Sequence, residues 1–194
     1  MKKEYEKIKD KLMKFKCLGF EEREGCLLIG KPSYLPKYAW LVTIFAPLDK
    51  EEFSIMCNKY CIKIPFVYKE FLTNFSNGLD IFSGTFSLEG YRKHYRRDES
   101  AILQPFALDI SNVYERPKNA KDSYFFIGSY DWDGSTLYID TDTNHVHLCK
   151  REDATSLYEW NSFEEMLSSE IDRIFSLFTD DGRQIDENQS TLPI

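Results

Sequence analysis

Residues 124–149 read YFFIGSYDWDGSTLYIDTDTNHVHLC, and their pattern predicts three β-strands joined by two tight turns. The first strand, at 124–129, is rich in aromatic residues, which suit a half-buried pleated surface. Residues 131–134 (DWDG) supply the first turn, because Asp side chains accept from nearby backbone amides and Gly tolerates a positive φ. The polar residues 141–144 supply the second turn. This stretch therefore predicts an antiparallel meander around which the fold is organised.

Polar and apolar residues alternate in 136–140 and 145–149, so each of these strands can bury one face and expose the other. In the last strand the alternation groups His145, His147 and Cys149 on one face. Other short apolar runs lie between turn residues and predict further strands. These runs are 26–29, 38–45, 79–82, 85–88, 106–110 and 157–160.

Apolar residues recur at helical spacing in four stretches, and this spacing predicts amphipathic helices. Asp49 with Glu52, and Ser162 with Glu165, have the pattern of a capping box, which marks the start of a helix. Pro65 stands where a helix accepts proline, in its first turn. The predicted helices are 2–18, 49–61, 64–75 and 162–178.

Together these elements predict an α+β fold, in which an antiparallel sheet of about five to six strands packs against N-terminal and C-terminal helices. A chain of 194 residues with 42% hydrophobic residues can bury a proper core. We expect residues 1–182 to form one domain. The polar residues 183–194 are expected to form a flexible C-terminal tail.

The first twelve residues, MKKEYEKIKDKL, are charged and lack the apolar core of a secretion signal. No apolar run is long enough to cross a bilayer, so we expect no membrane association. The five Cys are an odd number without the spacing of a disulfide framework. These features predict a cytoplasmic protein with reduced thiols.

The net charge of −7 is distributed unevenly along the chain. Residues 121–194 carry five basic and sixteen acidic side chains, a net charge of −11, whereas the preceding part of the chain is positive. An acidic half disfavours nucleic acid as a partner and favours a basic protein. The alternative explanation of the acidity is solubility alone.

Motifs of catalysis are missing from the sequence. There is no G-x-S-x-G elbow, no phosphate-binding glycine loop and no Cys–His pair at motif spacing. Cys57 and Cys61 lie one helical turn apart, but no second pair stands at zinc-ligand spacing. We therefore expect a protein that is not an enzyme and has no cofactor.

The run Asp140-x-Asp142-x-Asn144 begins like a calcium-binding loop. The match then fails, because His145 stands where that loop needs Gly and Arg151 stands where it needs a bidentate Glu. The face shared by the two His and the Cys of the last meander strand lacks a fourth ligand for a soft metal. These residues are better explained as turn and strand residues, and no metal site is predicted.

Four motifs, in this order and spacing, resemble the SUKH superfamily, which comprises domains related to the fungal regulator of cell-wall glucan synthesis and many bacterial immunity proteins. The motifs are a helix that opens with Ile-Pro and exits through Asn-Gly, an Ile-Gly strand end, a Gly turn before a strand ending in Asp, and a closing helix. The resemblance covers 49–178, so residues 20–48 look like an added N-terminal hairpin. The motif residues are Ile64-Pro65-x-x-Tyr68-x-x-Phe71-Leu72 with Asn77-Gly78, Phe126-Ile127-Gly128, Gly134-Ser135-x-Leu137-Tyr138-Ile139-Asp140, and Ser162-Phe163-x-x-Met166-Leu167.

The resemblance implies a non-enzymatic immunity protein that neutralises a toxin, often a nuclease, by binding it in the cytoplasm. An acidic protein suits this role, because a nuclease presents a basic surface to its substrate. Loops on a rigid sheet often carry binding residues, so we expect the two turns of the meander to contact the partner. The predicted contact residues are Asp131, Trp132, Asp133, Asp140 and Asp142. The alternative is that the Trp belongs to the core and the Asp residues only form turns.

Two other functions remain open at this point. The fungal relatives suggest a regulatory scaffold that binds some other protein. Residues 91–97 (YRKHYRR) suggest a nucleic-acid-binding module, because basic and aromatic residues alternate there. Asp98 and Glu99 follow at once, so a solvated loop or strand edge is the preferred interpretation of this run.

Overall fold

The computed structural model describes residues 2–194, which contain one nine-stranded sheet whose strands all pair antiparallel with the next strand along the chain. The predicted α+β class is confirmed, but the predicted count of five to six strands was wrong. The strands are β1 (Phe20–Arg23), β2 (Cys26–Ile29), β3 (Val42–Ile44), β4 (Leu79–Ile81), β5 (Phe86–Leu88), β6 (Tyr124–Tyr130), β7 (Thr136–Asp140), β8 (His145–Lys150) and β9 (Asp153–Trp160). The helices are α1 (Lys2–Leu12), α2 (Lys50–Tyr60), α3 (Phe66–Asn74) and α4 (Phe163–Ser176).

The extra strands come from the N-terminal third of the chain, where β1, β2 and β3 extend the same sheet. β2 and β3 pair as predicted, with Leu27 opposite Ile44. β1 reads FEER and has only one apolar residue, Phe20, so its sequence carries no alternation that would predict a strand. Its pairing with β2 places it at the edge of the sheet, where a polar sequence is tolerated.

Two predicted strands differ from the structure. The run 38–45 contributes only the three residues of β3, because the preceding residues fold into a loop in which the Lys31 ammonium donates to the carbonyl oxygens of Pro36 and Ala39. The run 106–110 is not a strand: Ala107 forms a single bridge with Gly90, and the chain then enters a five-residue π-helix, Ile110–Tyr114.

Two of the four predicted helix starts are explained by their side-chain caps. Asp49 and Glu52 form the predicted capping box at the start of α2. Ser162 accepts from the backbone amide of Glu165 at the start of α4, while the Glu165 carboxylate accepts from Asn161. The first predicted helix, 2–18, is an α-helix only as far as Leu12. The chain then continues as a 3₁₀ helix over Met13–Leu18. None of the helices in residues 2–194 combines the length and the apolar character that crossing a membrane requires.

The main core lies between α1, α3, α4 and one face of the sheet, which we call the inner face. Aromatic side chains fill its centre. The Tyr68 ring of α3 lies 5.4 to 5.7 Å, between ring centroids, from Phe71, Phe125 and Phe163. Such aromatic pairs stabilise a fold by about 0.5–1.5 kcal/mol beyond the burial of their area.

The buried hydroxyl of Tyr68 joins α3 to Glu89, at the end of β5, and to Ile127 in β6, and we call this contact the Tyr68 joint. It donates to the carbonyl oxygen of Glu89, just after β5, and lies 2.9 Å from that of Ile127 in β6. The backbone amide of Glu89 also donates to Ile127, at a β-bulge where the register of β6 shifts between Phe126 and Gly128. A Cβ atom at Gly128 would lie 2.2 Å from the Ser87 carbonyl oxygen, so only glycine allows this approach.

We predict that Tyr68→Phe lowers the free energy of unfolding by about 1–3 kcal/mol, because it leaves the Glu89 carbonyl oxygen buried without its donor. Urea denaturation monitored by circular dichroism measures the change. Tyr114→Phe is the matched control, since this side chain is 72% exposed and its hydroxyl reaches water. Equal stability of the two variants would show that the hydroxyl does not hold this joint.

Residues 183–194, for which the sequence predicts flexibility, make several contacts with α4 and the end of that helix. Ile185 donates its backbone amide to Leu177, and the Arg173 guanidinium donates to the carbonyl oxygens of Thr191 and Leu192. The side chain of Thr191 is buried. The polar composition of this segment did not reveal these contacts, because its anchors are backbone carbonyls, which every sequence has.

Arg173 also anchors a buried carboxylate that the sequence did not single out. Its guanidinium donates to Glu170, which is 2% exposed, and the Tyr130 hydroxyl donates to the same carboxylate at 2.6 Å. Burial raises the pKa of Tyr130 well above its usual value, and the Glu170 charge adds to this shift. The three side chains connect α4, β6 and the C-terminal segment.

We predict that Arg173→Met destabilises the fold by about 3 kcal/mol, because it leaves the Glu170 carboxylate buried without its cation. Thermal and urea unfolding measure the loss, and Arg183→Met is the control because that side chain is largely exposed. We also expect faster backbone hydrogen exchange in residues 185–194 of the Arg173 variant. An unchanged midpoint and unchanged exchange would contradict the anchoring role.

Candidate protein-binding surface

The second face of the sheet, which we call the outer face, is partly covered by the long connection between β5 and β6, residues 89–123. Two Asn side chains fix this β5–β6 connection. The amide of Asn77 pairs with the backbone N–H and C=O of Tyr91, and the amide of Asn112 pairs with those of Phe126. Because each amide satisfies one backbone donor and one acceptor, it replaces the hydrogen bonds that a neighbouring strand would make.

A row of polar side chains crosses the outer face beneath this connection. The strand register places these residues directly opposite one another on successive strands, from β3 to β7. Ser87 donates to Asp80 at 3.3 Å, and burial raises the pKa of Asp80 to about 6. The row consists of Thr43, Asp80, Ser87, Ser129 and Thr136.

Two cavities open between the row and the β5–β6 connection, one on each side of Phe106. The first has a volume of about 310 Å³ and lies beneath the π-helix, with Glu89, Ser129 and Thr136 in its wall. The second has a volume of about 230 Å³ and includes Asp80. We call them the Glu89 cavity and the Asp80 cavity. Both are near the small end of the range of about 300–1,000 Å³ that is usual for ligand sites.

Glu89 is the most unusual residue of this region. Its side chain is 5% exposed, Oε1 accepts from the Ser111 hydroxyl at 2.8 Å, and Oε2 has no hydrogen-bond partner among the described residues. Burial raises the pKa of its carboxyl group to about 7, with contributions from the nearby charges of Asp109 and Glu115. A buried carboxyl group with a displaced pKa in a cavity is a common mark of a functional site.

Exposed apolar side chains surround the two cavities. Ile110, Val113 and Tyr114 lie on the exposed side of the π-helix, and Phe106 and Tyr95 stand beside it. Tyr95 lies close to Asp109, with 3.5 Å between its hydroxyl oxygen and the carboxylate. We define the outer-face patch as Tyr95, Phe106, Ile110, Val113 and Tyr114 together with the openings of the two cavities. Apolar groups around buried carboxylates are suited to protein recognition.

The predicted contact residues Asp131, Trp132 and Asp133 form the turn between β6 and β7, at the border of this patch. Trp132 is 43% exposed, so it does not belong to the core. Asp133 accepts from the backbone amide of Ser135 and thus also shapes the turn. Gly134 of the same turn lines the Glu89 cavity. The first three predicted residues therefore lie next to the outer-face patch.

The other two predicted residues, Asp140 and Asp142, lie in the turn between β7 and β8. This turn is at the opposite end of β7, about 17 Å away at the usual rise of a strand. Asp140 accepts from the backbone amide of Asp142. The structure does not bring the five predicted residues together, because successive turns of a meander lie at opposite ends of its strands.

The histidine face of β8 lies near this second turn. His145 Nδ1 is 2.5 Å from a Glu159 carboxylate oxygen, and the His147 ring stacks on Tyr138. Burial lowers the pKa of His147, although Glu159 opposes this shift. The Cys149 thiol is buried against the Thr136 hydroxyl, at 3.2 Å. Across residues 2–194, no three His, Cys, Asp or Glu side chains are arranged to hold a metal ion.

The basic run 91–97 does not form one continuous cationic surface. Tyr91 is buried, Arg92 donates to the carbonyl oxygens of Gln104 and Pro105, and Lys93 pairs with Glu52. Arg92 also lies over the Tyr95 ring. Through Arg92 and Lys93 the run therefore helps to attach the β5–β6 connection.

We predict that Glu89→Gln becomes more stable relative to the natural protein as the pH rises from 5 to 8. The folded pKa of about 7 exceeds the usual 4.5, so ionisation of Glu89 above pH 4.5 favours the unfolded chain until the folded form also ionises. The difference should grow by up to about 3 kcal/mol over this range. Urea unfolding at several pH values measures it, with exposed Glu99→Gln as the control. Parallel profiles for Glu89→Gln and the natural protein would contradict the displaced pKa.

Comparison with known proteins agrees with the sequence motifs. The model of the SMI1 / KNR4 family (SUKH-1) matches residues 47–169, which is more than half of the chain and leaves β1, β2 and β3 outside. No curated protein matches the chain. The matched part contains the Tyr68 joint, the β5–β6 connection and the meander, in the order that the motifs predicted. The chain therefore belongs to the SMI1 / KNR4 family (SUKH-1).

Proposed function

We propose that this chain is a non-enzymatic immunity protein of the cytoplasm that binds a nuclease-type polymorphic toxin and thereby neutralises it. Membership of the SUKH-1 family supports a role in protein binding. The net charge of −7 supports a basic partner, since opposite charges accelerate association and favour the correct orientation. A nuclease fits this description because it presents positive charge to its own substrate.

The outer-face patch is the observation that carries the proposal. Three of its apolar residues, Ile110, Val113 and Tyr114, are exposed on a short π-helix that Asn112 fixes to β6, so they are held in place before a partner arrives. Preorganised apolar side chains lose little conformational entropy on binding. The carboxyl groups of Asp80 and Glu89 lie in the same surface and complement a basic partner.

In this proposal Trp132 acts as an additional anchor at the border of the patch, because large aromatic side chains dominate many interfaces. Asp131 and Asp133 add negative charge beside it. Asp140 and Asp142 lie at the other end of β7, so they contribute to the long-range attraction of a basic partner rather than to the same contact.

A regulatory scaffold of the cell-wall type would use the same kind of surface for another partner. The identity of the partner therefore decides between the two functions. A large toxin gene beside the gene of this chain would supply the candidate toxin. Co-expression of the two proteins tests neutralisation, and a pull-down from the secreted proteins of the host identifies other partners.

We predict that Val113→Asp and Tyr114→Ala each weaken binding of the toxin about 30-fold or more, which corresponds to the loss of at least one anchor residue of about 2 kcal/mol. Isothermal titration calorimetry measures the affinity, and toxicity on co-expression measures protection. Ile185→Asp is the matched control, because Ile185 is 64% exposed but lies in the C-terminal segment, away from the patch.

If the two patch variants bind and protect like the natural protein, the outer-face patch is not the contact surface. If the natural protein protects against no nuclease toxin encoded beside it and instead retains a cell-wall assembly protein, the immunity function is wrong. Salt-sensitive RNA binding that disappears in an Arg92, Arg96 and Arg97 triple Ala variant would favour the nucleic-acid alternative.

A further inference from the structure

We propose that the Glu89 cavity receives the ammonium group of a lysine side chain from the protein partner, with Glu89 as its acceptor. The inference rests on the proposed function, because it names the chemistry by which the outer-face patch selects a basic protein. It concerns a residue inside the fold, whereas the contact residues expected from the sequence lie in the turns.

The first observation is the hydrogen bonding of Glu89. Its Oε2 is buried and has no donor among the described residues, and Glu89 is one of the residues that line the cavity. A buried carboxylate oxygen without a donor costs free energy, and a ligand that supplies a donor recovers this free energy. The cavity of about 310 Å³ leaves room for such a ligand.

The wall of the cavity indicates the rest of the ligand. Phe106, Ala107, Ile110 and Phe126 give it an apolar lining that suits a chain of methylene groups. A lysine side chain carries a compact ammonium group on four such carbons. The apolar lining would remain in contact with the stem while the charge reaches Glu89.

The hydrogen bonds of Glu89 also distinguish lysine from arginine. Ser111 already occupies Oε1, so only one oxygen is free. A guanidinium group binds a carboxylate best through two parallel hydrogen bonds, which need both oxygens. An ammonium group acts as a point charge and needs only one.

The charges around the cavity are compatible with a cationic ligand. Arg151 lines the cavity from the β8–β9 turn, but it pairs with Glu115 at 2.6 Å. From the β5–β6 connection, Asp109 and Glu115 add negative charge near Glu89, and from α3 the Tyr68 hydroxyl contacts the Glu89 backbone. Arg151, the basic residue of the cavity wall, and Glu115 therefore neutralise each other.

Binding should therefore strengthen with pH. Since the pKa of Glu89 is about 7, the carboxylate that an ammonium group needs is formed mainly above neutral pH. An ammonium group has its own pKa near 10.4 and stays charged over this range. The affinity should rise about fivefold from pH 6 to pH 7, reach about tenfold the pH 6 value near pH 8 and then level off.

The test uses n-butylammonium chloride as the probe and the full chain as the receptor. Two-dimensional NMR spectra should show saturable shifts of the Ser111 and Phe126 amide signals, with affinity that rises with pH as stated. Glu89→Gln should weaken binding at least tenfold, and Ser129→Leu should do the same by filling the cavity. Glu99→Gln should leave binding unchanged. The neutral analogue n-butanol and n-butylguanidinium chloride should both bind more weakly than n-butylammonium.

Two results would overturn the inference. One is the absence of saturable shifts in the natural protein, and the other is equal affinity of the natural protein and the Glu89→Gln variant, whose folding the amide spectrum itself reports.

Failure of the proposed function is distinguishable from these results. If Val113→Asp abolishes binding of the toxin while Glu89→Gln does not, the lysine site is wrong and the patch is retained. If butylammonium binds as predicted but no toxin is neutralised, the cation site is retained and the immunity function is wrong.

Discussion

The hydroxyl of Tyr68 lies in the main core, donates to the carbonyl oxygen of Glu89 just after β5 and lies 2.9 Å from the carbonyl oxygen of Ile127 in β6. β5 ends at Leu88, and β6 bulges at Ile127, so the carbonyl oxygen of Glu89 has no backbone donor from a neighbouring strand. An unsatisfied buried carbonyl oxygen would cost about 1–3 kcal/mol, and the hydroxyl prevents this cost. Gly128 allows the two strands to approach closely enough for the arrangement to form. The family motifs around Tyr68 and Gly128 thus describe the two sides of one joint.

The outer-face patch depends on this joint. Glu89 follows β5 directly: its backbone is held from the inner side by Tyr68, and its side chain lies on the outer side, in the cavity wall. Asn77 and Asn112 then fix the start of the β5–β6 connection and its π-helix to the sheet. A residue of the core therefore determines where a carboxylate and the exposed apolar side chains lie. This connection between core and surface explains how a family motif made of buried residues can accompany a binding function.

Sequence patterns predicted the meander and the long helices because each has a periodic apolar face and a clear turn or cap. β1 was not predicted, since an edge strand with one apolar residue has no period to detect. The run 106–110 looked like a strand because its apolar residues are consecutive. In the structure Phe106 and Ile110 are exposed whereas Leu108 is buried in the main core, and a local pattern cannot distinguish this arrangement from a strand.

The candidate site was predicted only in part, for a similar reason. Trp132 and its neighbouring Asp residues were found because turn residues are visible in the sequence. Glu89 was not found, because a single Glu after a strand carries no signal of its burial, its Ser111 partner or its cavity. Its environment is formed by residues 106–117 and by β6, β7 and the β8–β9 turn, which only the folded sheet brings together.

The Tyr68 joint holds Glu89, and with it the cavity wall of the outer-face patch, in place. Backbone hydrogen exchange of the natural protein and of Tyr68→Phe, measured residue by residue under native conditions, tests this claim most directly. We expect the amides of Glu89, Tyr91 and Phe126 to exchange at least tenfold faster in the variant relative to those of β8, because the joint opens locally. An equal change in both regions, or no change at all, would contradict the claim.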